Sequence, residues 1–304
     1  MGARGRPLLV LLALGVLASS LANTAPRRDH NDRFQHGAVG TRAYRLFVPP
    51  EPPRALILAL HGCWQTAEDF AAGTRLNEAA ERRAFVVVYP IQTARDNPNR
   101  CWNWFLPAHQ LRGRGELAEI LAVVGDVRRQ HRISEDRVFA LGFSAGAFMT
   151  VNLACVAPDV VAAVGVASGG PYRCGVGIVG SMQCMRGYQV AGTDSATACR
   201  EALGGHRPPR ASLWHGALDS VVAPADLDAL VVMFTQLAAA TPAPTEARDG
   251  ATYSRWHDGQ GRDVVEAWLV ARMGHAWSGG SARGTHTFPP GPDTTERILD
   301  FFLR

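Results

Sequence analysis

The sequence contains no lysine, so all 31 of its Lys-plus-Arg residues are arginine. That absence excludes a Walker-type phosphate loop, a Schiff-base lysine and a Ser-Lys dyad. Each needs an amine that cradles phosphate or gives up a proton. Net charge is scarce as well, at +4 over 304 residues. No basic run is long enough to track a phosphate backbone, and nucleic acid is not an expected partner. Neither a Cys-x-x-Cys pair nor a His/Cys cluster has zinc-ligand spacing, so no metal is expected. Internal repeats, low-complexity tracts and a linker to a second folded domain are also missing. Hydrophobic residues make up 47% and charged residues 19%, an ordinary balance for one large globular domain.

The one long N-terminal apolar run, residues 8–17, has about half of the ~20 residues that span a bilayer. Arg4 and Arg6 precede it, and Ala18, Ser19, Ser20 and Ala22 follow. A positive flank, a short apolar segment and a small-residue exit describe a secretory signal peptide over 1–22. Residues 23–41 are polar and arginine-rich and read as a flexible lead-in, leaving 42–304 as a single folded domain. The expected destination is secreted, either periplasmic or extracellular, without a stable membrane anchor. Export makes disulfides the expectation for Cys63, Cys101, Cys155, Cys174, Cys184 and Cys199.

Apolar runs at 55–60, 85–89, 137–141, 160–167, 212–214 and 264–271 read as strands. Helical stretches fall between or after them, at 67–83, 115–131, 145–157, 225–239 and 294–303. Unbroken apolar strands alternating with helices predict an α/β fold, a mostly parallel central sheet flanked by helices. Segments 91–114 and 169–210 break the alternation, as functional loops often do.

Gly142-Phe143-Ser144-Ala145-Gly146 follows one strand directly and opens a helix. This is the context of a nucleophile elbow, in which a strained strand-to-helix turn exposes the serine. The expected chain order is then Ser, acid, His. Asp219 lies just past the strand at 212–214, where the sheet edge opens toward the elbow. Asp226 and Asp228 fall in a helical run and read as first-turn acids, and Asp194 sits in an irregular segment. His275 occupies a glycine-rich loop after the last strand. Its rivals are His215, which precedes Asp219, and His257, which lies before that last strand. An oxyanion hole is expected from the backbone N–H groups of Cys63, in the loop after 55–60, and of Ala145.

These residues resemble the polyhydroxybutyrate depolymerase family of esterases, which groups with feruloyl and acetylxylan esterases. The matching pieces are LHGCWQ (60–65), YPIQ (89–92), CWNWF (101–105), GFSAGAFM (142–149), GHAWSGG (274–280) and GPDTTERILDFF (291–302). The resemblance implies an α/β-hydrolase fold, carboxylic-ester hydrolysis without a cofactor, the same Ser144–His275–Asp219 triad and a Cys63–Cys101 disulfide. The other four cysteines remain unassigned. Trp64, Trp102, Trp104 and Trp277 lie on loops expected to converge on the site as an apolar acyl or chain-binding cleft. Asn103 is a candidate hydrogen-bond partner for substrate or a turn cap.

The expected substrate is a short-chain polyhydroxyalkanoate such as 3-hydroxybutyrate polyester or its oligomers, with a monomeric enzyme. Feruloyl or acetylxylan esters of plant cell walls are the alternative. Secreted depolymerases that attack solid polymer often append a substrate-binding domain. This sequence stops at Arg304, which turns the expectation toward oligomers, amorphous polyester and small esters. A non-catalytic hydrolase-fold binding protein usually lacks a triad member, whereas Ser144, Asp219 and His275 are all present.

Overall fold

The computed structural model describes residues 1–2, 33–188 and 192–304. Beyond residue 2, the expected leader lies outside the described residues, as does much of the lead-in. Within that lead-in, Gln35–Val39 forms β1, an edge strand pairing antiparallel with β2 (Arg42–Phe47). The parallel core of the sheet comprises β3 (Ala55–Leu60), β4 (Phe85–Pro90), β5 (Val138–Phe143), β6 (Ala163–Ala167) and β7 (Arg210–Gly216). The chain then forms β8 (Thr241–Pro242), β9 (Glu246–Arg248), β10 (Ala251–His257) and β11 (Asp263–Val270). β11 joins β7 in parallel and β10 returns antiparallel. The full order is β1-β2-β4-β3-β5-β6-β7-β11-β10-β8.

Strand periodicity divides the core into two layers. Leu56, Leu58 and Leu60 of β3 point to one face, and Ala55, Ile57 and Ala59 to the other. The first face is covered by α3 (Gly115–Gln130), α4 (Ala145–Val156) and α7 (Ala225–Ala238). The second is covered by α1 (Ala67–Thr74), α2 (Leu76–Arg83) and α8 (Thr294–Leu303). With both faces covered, every β3 residue is fully buried. Each such Leu or Ile side chain contributes about 1.5–3 kcal/mol by leaving water.

The stretch 67–83, continuous in its helical pattern, is broken at Arg75, which adopts a left-handed φ of 55°. The tertiary structure compensates for the break. The Arg75 guanidinium donates to Gly279 O at 2.9 Å and pairs with Asp293, the residue whose carboxylate caps α8. β1, β2 and β10 contain no unbroken apolar run. Arg42 in β2 and Arg255 in β10 interrupt the hydrophobic signal, and pairing to neighbouring strands supplies what the pattern lacks.

Segment 169–210 contains α5 (Gly177–Met185) and α6 (Gly192–Leu203). A Cys174–Cys184 disulfide closes the first against its own entry loop, and Cys155–Cys199 staples α6 to α4. Segment 91–114 keeps little regular structure beyond a short 3-10 turn at Pro107–Gln110 and is fastened by a Cys63–Cys101 disulfide. Among the described residues, no helix is long and apolar enough to cross a membrane.

The tightest backbone packing lies where α4 leaves β5. A Cβ on Gly146 would stand 2.1 Å from Leu60 O, and one on Gly142 would stand 2.3 Å from Gly146 O. Neither neighbour is a side chain that can swing aside. Gly146→Ala is therefore expected to destabilise the fold by about 3 kcal/mol or more. Chemical denaturation of the purified variant measures it, and a cost under about 1 kcal/mol contradicts the packing described.

Candidate active site

The C-terminal ends of β5, β7 and β11 bring three side chains into one hydrogen-bonded row. Ser144 follows β5 with φ 54° and ψ −123°. Its amide donates to Ala167 O at 2.9 Å, which anchors the strained residue to the end of β6. The Ser144 hydroxyl lies 2.9 Å from His275 Nε2, and His275 Nδ1 lies 2.8 Å from Asp219 Oδ2. A carboxylate accepts, so Nδ1 carries the proton and Nε2 is free to accept the serine proton.

Asp219 is buried and its second oxygen accepts from Val221 N–H at 2.9 Å and Val222 N–H at 3.0 Å. Burial pushes this carboxyl up. The hydrogen bond and charge of His275, with the Val222 amide, outweigh that effect and hold it below the usual carboxylate range. The loops carrying Asp219 and His275 are zipped together by their backbones. Ala217 N–H donates to Val270 O and Leu218 N–H to Met273 O. A Cβ on Gly216 would stand 2.3 Å from both Met273 O and Gly274 O.

The loop after β3 packs on the elbow from the other side, with Gly62 against the Phe143 ring. His61 shapes this loop as a neutral imidazole. Its Nδ1–H donates to Gly62 O at 2.8 Å, while Nε2 accepts from Gln92 N–H at 3.4 Å. Burial lowers its pKa to about 4. Among the described residues, the Cys63 and Ala145 N–H groups have no hydrogen-bond acceptor. Ala145 opens α4, whose first-turn amides have no intrahelical partner.

The tryptophans are distributed differently from expectation. Trp64 is 67% exposed in the loop after β3. Trp102, Trp104 and Trp277 are buried and serve packing rather than an accessible cleft. Trp102 lies beneath Arg42 and His61, Trp104 stacks on Phe148 at 3.9 Å, and Trp277 donates to Thr295 Oγ1. Asn103 is likewise committed internally. Its backbone N–H and its Nδ2 both donate to Glu116, at 2.8 and 2.6 Å, and its Oδ1 accepts from Asn97. The physical cause is Glu116, a buried carboxylate in the first turn of α3 that also accepts from Gln92 Nε2. It draws segment 91–114 inward, and its helical position gave no local signal of that role.

Other residues near the row carry no motif. His286 faces His275 with ring centroids 6.3 Å apart. Leu218 and Val221, 65% and 50% exposed, flank Asp219. Of the rivals, His257 lies at the far end of the sheet, 2.7 Å from Asp263. Asp194 lies on α6, and Asp228 in the first turn of α7. His215 sits behind the acid, donating to Val222 O at 2.9 Å with Asp219 Oδ2 3.5 Å away. Asp226 is fully buried beside the Cys184 sulfur. Cys174, Cys184 and Asp226 form the only metal-like cluster among the described residues. Its two sulfurs are bonded to each other and offer no thiolate.

Three buried groups give the site a pH signature. Burial keeps His61 neutral down to about pH 4, against an ordinary value of 6.5, and lowers His215 as well. Unfolding takes up these protons below pH 6.5, so stability rises with pH there. Asp226 has the opposite sign. Burial, followed by the Asp219 charge, raises it from 3.8 to about 8, so the folded protein holds a proton that the unfolded chain has released. Its contribution to stability is lost as pH rises toward about 8, and above about pH 6.5 the two histidines no longer oppose that loss. Denaturation midpoints are expected to fall between about pH 6.5 and pH 8, with Asp226→Asn flattening the fall. A parent protein that gains stability between those values contradicts the assignment.

With this geometry in place, the comparisons with known proteins become specific. Residues 42–256 match the family model described as esterase PHB depolymerase. The chain is 35% identical over 237 residues to poly(3-hydroxyalkanoate) depolymerase C of Paucimonas lemoignei, covering 75% of this chain and 56% of that protein. It is 30% identical over 227 residues to feruloyl esterase B of Thermothelomyces thermophilus, covering 70% of this chain and 74% of that one. The chain thus spans little more than half of the first relative. An acetyl xylan esterase from Aspergillus awamori superimposes with a TM-score of 0.74 at 19% identity, over 88% of this chain and 98% of that one. The fold is that of the α/β-hydrolases, and the chain belongs to the esterase PHB depolymerase family.

Proposed function

We propose that this protein is a secreted serine esterase that cleaves carboxylic esters through an acyl-enzyme. The observation that carries the reading is the unbroken row from Ser144 through His275 to Asp219, with bonds of 2.9 and 2.8 Å. In this mechanism His275 Nε2 takes the Ser144 proton as Oγ attacks the ester carbonyl. Asp219 holds the imidazole tautomer and stabilises the imidazolium, which then protonates the departing alcohol. The Cys63 and Ala145 N–H groups bind the oxyanion, each contributing roughly 3–4 kcal/mol to the transition state. Water, activated by His275, releases the acyl group by the reverse path. Export is supported by the leader pattern of residues 1–22 and by the disulfides.

For substrate, the reading favours short-chain polyhydroxyalkanoate polyester or its oligomers. Trp64, Leu218 and Val221 present exposed apolar surface on the loops bearing Cys63 and Asp219, suited to an aliphatic chain. Feruloyl or acetylxylan esters remain the second reading, favoured by the likeness to feruloyl esterase B.

Product release from a 3-hydroxybutyrate oligomer and from methyl ferulate, measured side by side, separates the two. The oligomer is expected to be the better substrate. Ser144→Ala is expected to reduce turnover of either by about 10⁴-fold or more, and Asp219→Asn by a comparable factor. Retained turnover in Ser144→Ala sinks the mechanism, and preference for methyl ferulate overturns the polyester assignment.

A further inference from the structure

The end of the sheet opposite Ser144 carries a cavity of about 550 Å³, within the range of small-molecule sites. It lies where β7 and β11 begin, against the last turns of α7. Phe234, Leu237, Val264 and Val265 give it an apolar floor, while Arg207, Arg210 and Arg262 line its polar side with Asp258. An adjoining hollow of about 400 Å³ shares Arg210 and Arg262 and adds Arg255 and Arg304, with Asp263 as the acid. β7 has 7 residues, so the cavity stands about 20 Å from the catalytic edge of the sheet.

The arginines here are unevenly neutralised. Arg262 is bound by Asp258 at 2.8 and 2.9 Å, and Arg304 approaches Asp263 at 3.2 Å and Glu266 at 3.4 Å. Among the described residues, Arg210 has no carboxylate within ion-pair distance. Its two terminal nitrogens donate to the carbonyls of Phe301 and Phe302, at 2.9 and 3.0 Å, at the end of α8. Arg207 is exposed and has no hydrogen bond or ion pair among the described residues. In the adjoining hollow, Arg255 approaches Glu246 at 3.5 Å, while its Nε is buried without an acceptor. Arg207, without a partner among the described residues, and Arg210, held by carbonyls and not by a carboxylate, stand above an apolar floor and complement one kind of small molecule, an apolar body that ends in an anion. An inorganic anion leaves the floor unused, and a neutral ligand leaves the charge unused.

We propose that this cavity binds an amphipathic carboxylate, with its head group against Arg207 and Arg210 and its chain on Phe234, Leu237, Val264 and Val265. Both a fatty acid and the free acid of a hydroxyacid oligomer have this chemistry. The site is separate from the catalytic row and does not depend on the esterase reading.

The test is calorimetric titration of the Ser144→Ala protein, which removes turnover from the measurement. Probes are octanoate, the linear 3-hydroxybutyrate tetramer as free acid, 1-octanol and inorganic phosphate. Saturable binding of octanoate or the tetramer is expected at one Arg207-dependent site per chain, the tetramer also occupying the catalytic cleft as substrate, and whichever binds the Arg207-dependent site tighter identifies the source of the ligand. Octanol and phosphate are expected to bind at least about tenfold more weakly. Arg207→Glu, an exposed change that breaks no internal bond, is expected to weaken carboxylate binding by about tenfold or more. Absence of saturable carboxylate binding, equal affinity for octanol or phosphate, or an unchanged affinity in Arg207→Glu overturns the proposal.

Discussion

Ser144 occupies a left-handed backbone conformation that costs a non-glycine residue of order 1–3 kcal/mol, and the surrounding structure is arranged to hold it there. The turn closes only because Gly142 and Gly146 let β5, α4 and the end of β3 approach within distances that forbid a Cβ. That single contact fixes several others. It sets α4 against the first face of the sheet, points the first amides of α4 toward the Ser144 side chain, and seats the His61–Cys63 loop on the elbow.

The remaining site elements are tied to this point by backbone and buried polar links rather than by side-chain packing alone. The acid and base loops meet at Gly216, Met273 and Gly274, so Asp219 and His275 move together. Arg75 and Asp69 fasten the segment after His275 to α1, with Thr285 N–H donating to Asp69 Oδ1 at 3.0 Å. The Cys63–Cys101 disulfide and the Glu116 network do the same for the loop opposite. These links hold the Ser144–His275–Asp219 row in place, the preorganisation that the proposed mechanism requires.

The legible part of the fold was the part with local periodicity. Apolar runs such as 55–60 and 85–89 announced buried parallel strands, and the interleaved helices announced both covered faces. The edge strands were not legible, because half-exposed strands carry arginines and polar residues that resemble loop. The break at Arg75 was invisible for the same reason, since the partners that stabilise it, Gly279 and Asp293, lie about two hundred residues further on. In the candidate site, chain order and strand-end position were enough to nominate Ser144, Asp219 and His275. They were not enough to tell an exposed tryptophan from a buried one. Trp64 and Trp102 sit on similar loops, but Trp102 is buried against Arg42 and His61, contacts that no local pattern announces.

What the sequence by itself determined is therefore the class of sheet, the elbow and the order of the three row residues. Each is encoded over a few neighbouring positions, as a run, a glycine pair or a loop at a strand end. The tertiary structure alone decided which tryptophans reach the surface, how Cys155, Cys174, Cys184 and Cys199 pair, and that His215 and Asp226 lie buried behind Asp219. It also decided that arginines from distant segments share one cavity at the opposite end of the sheet. These features depend on contacts between residues far apart in the chain, which no local pattern records and which exist only once the sheet has closed its two hydrophobic layers.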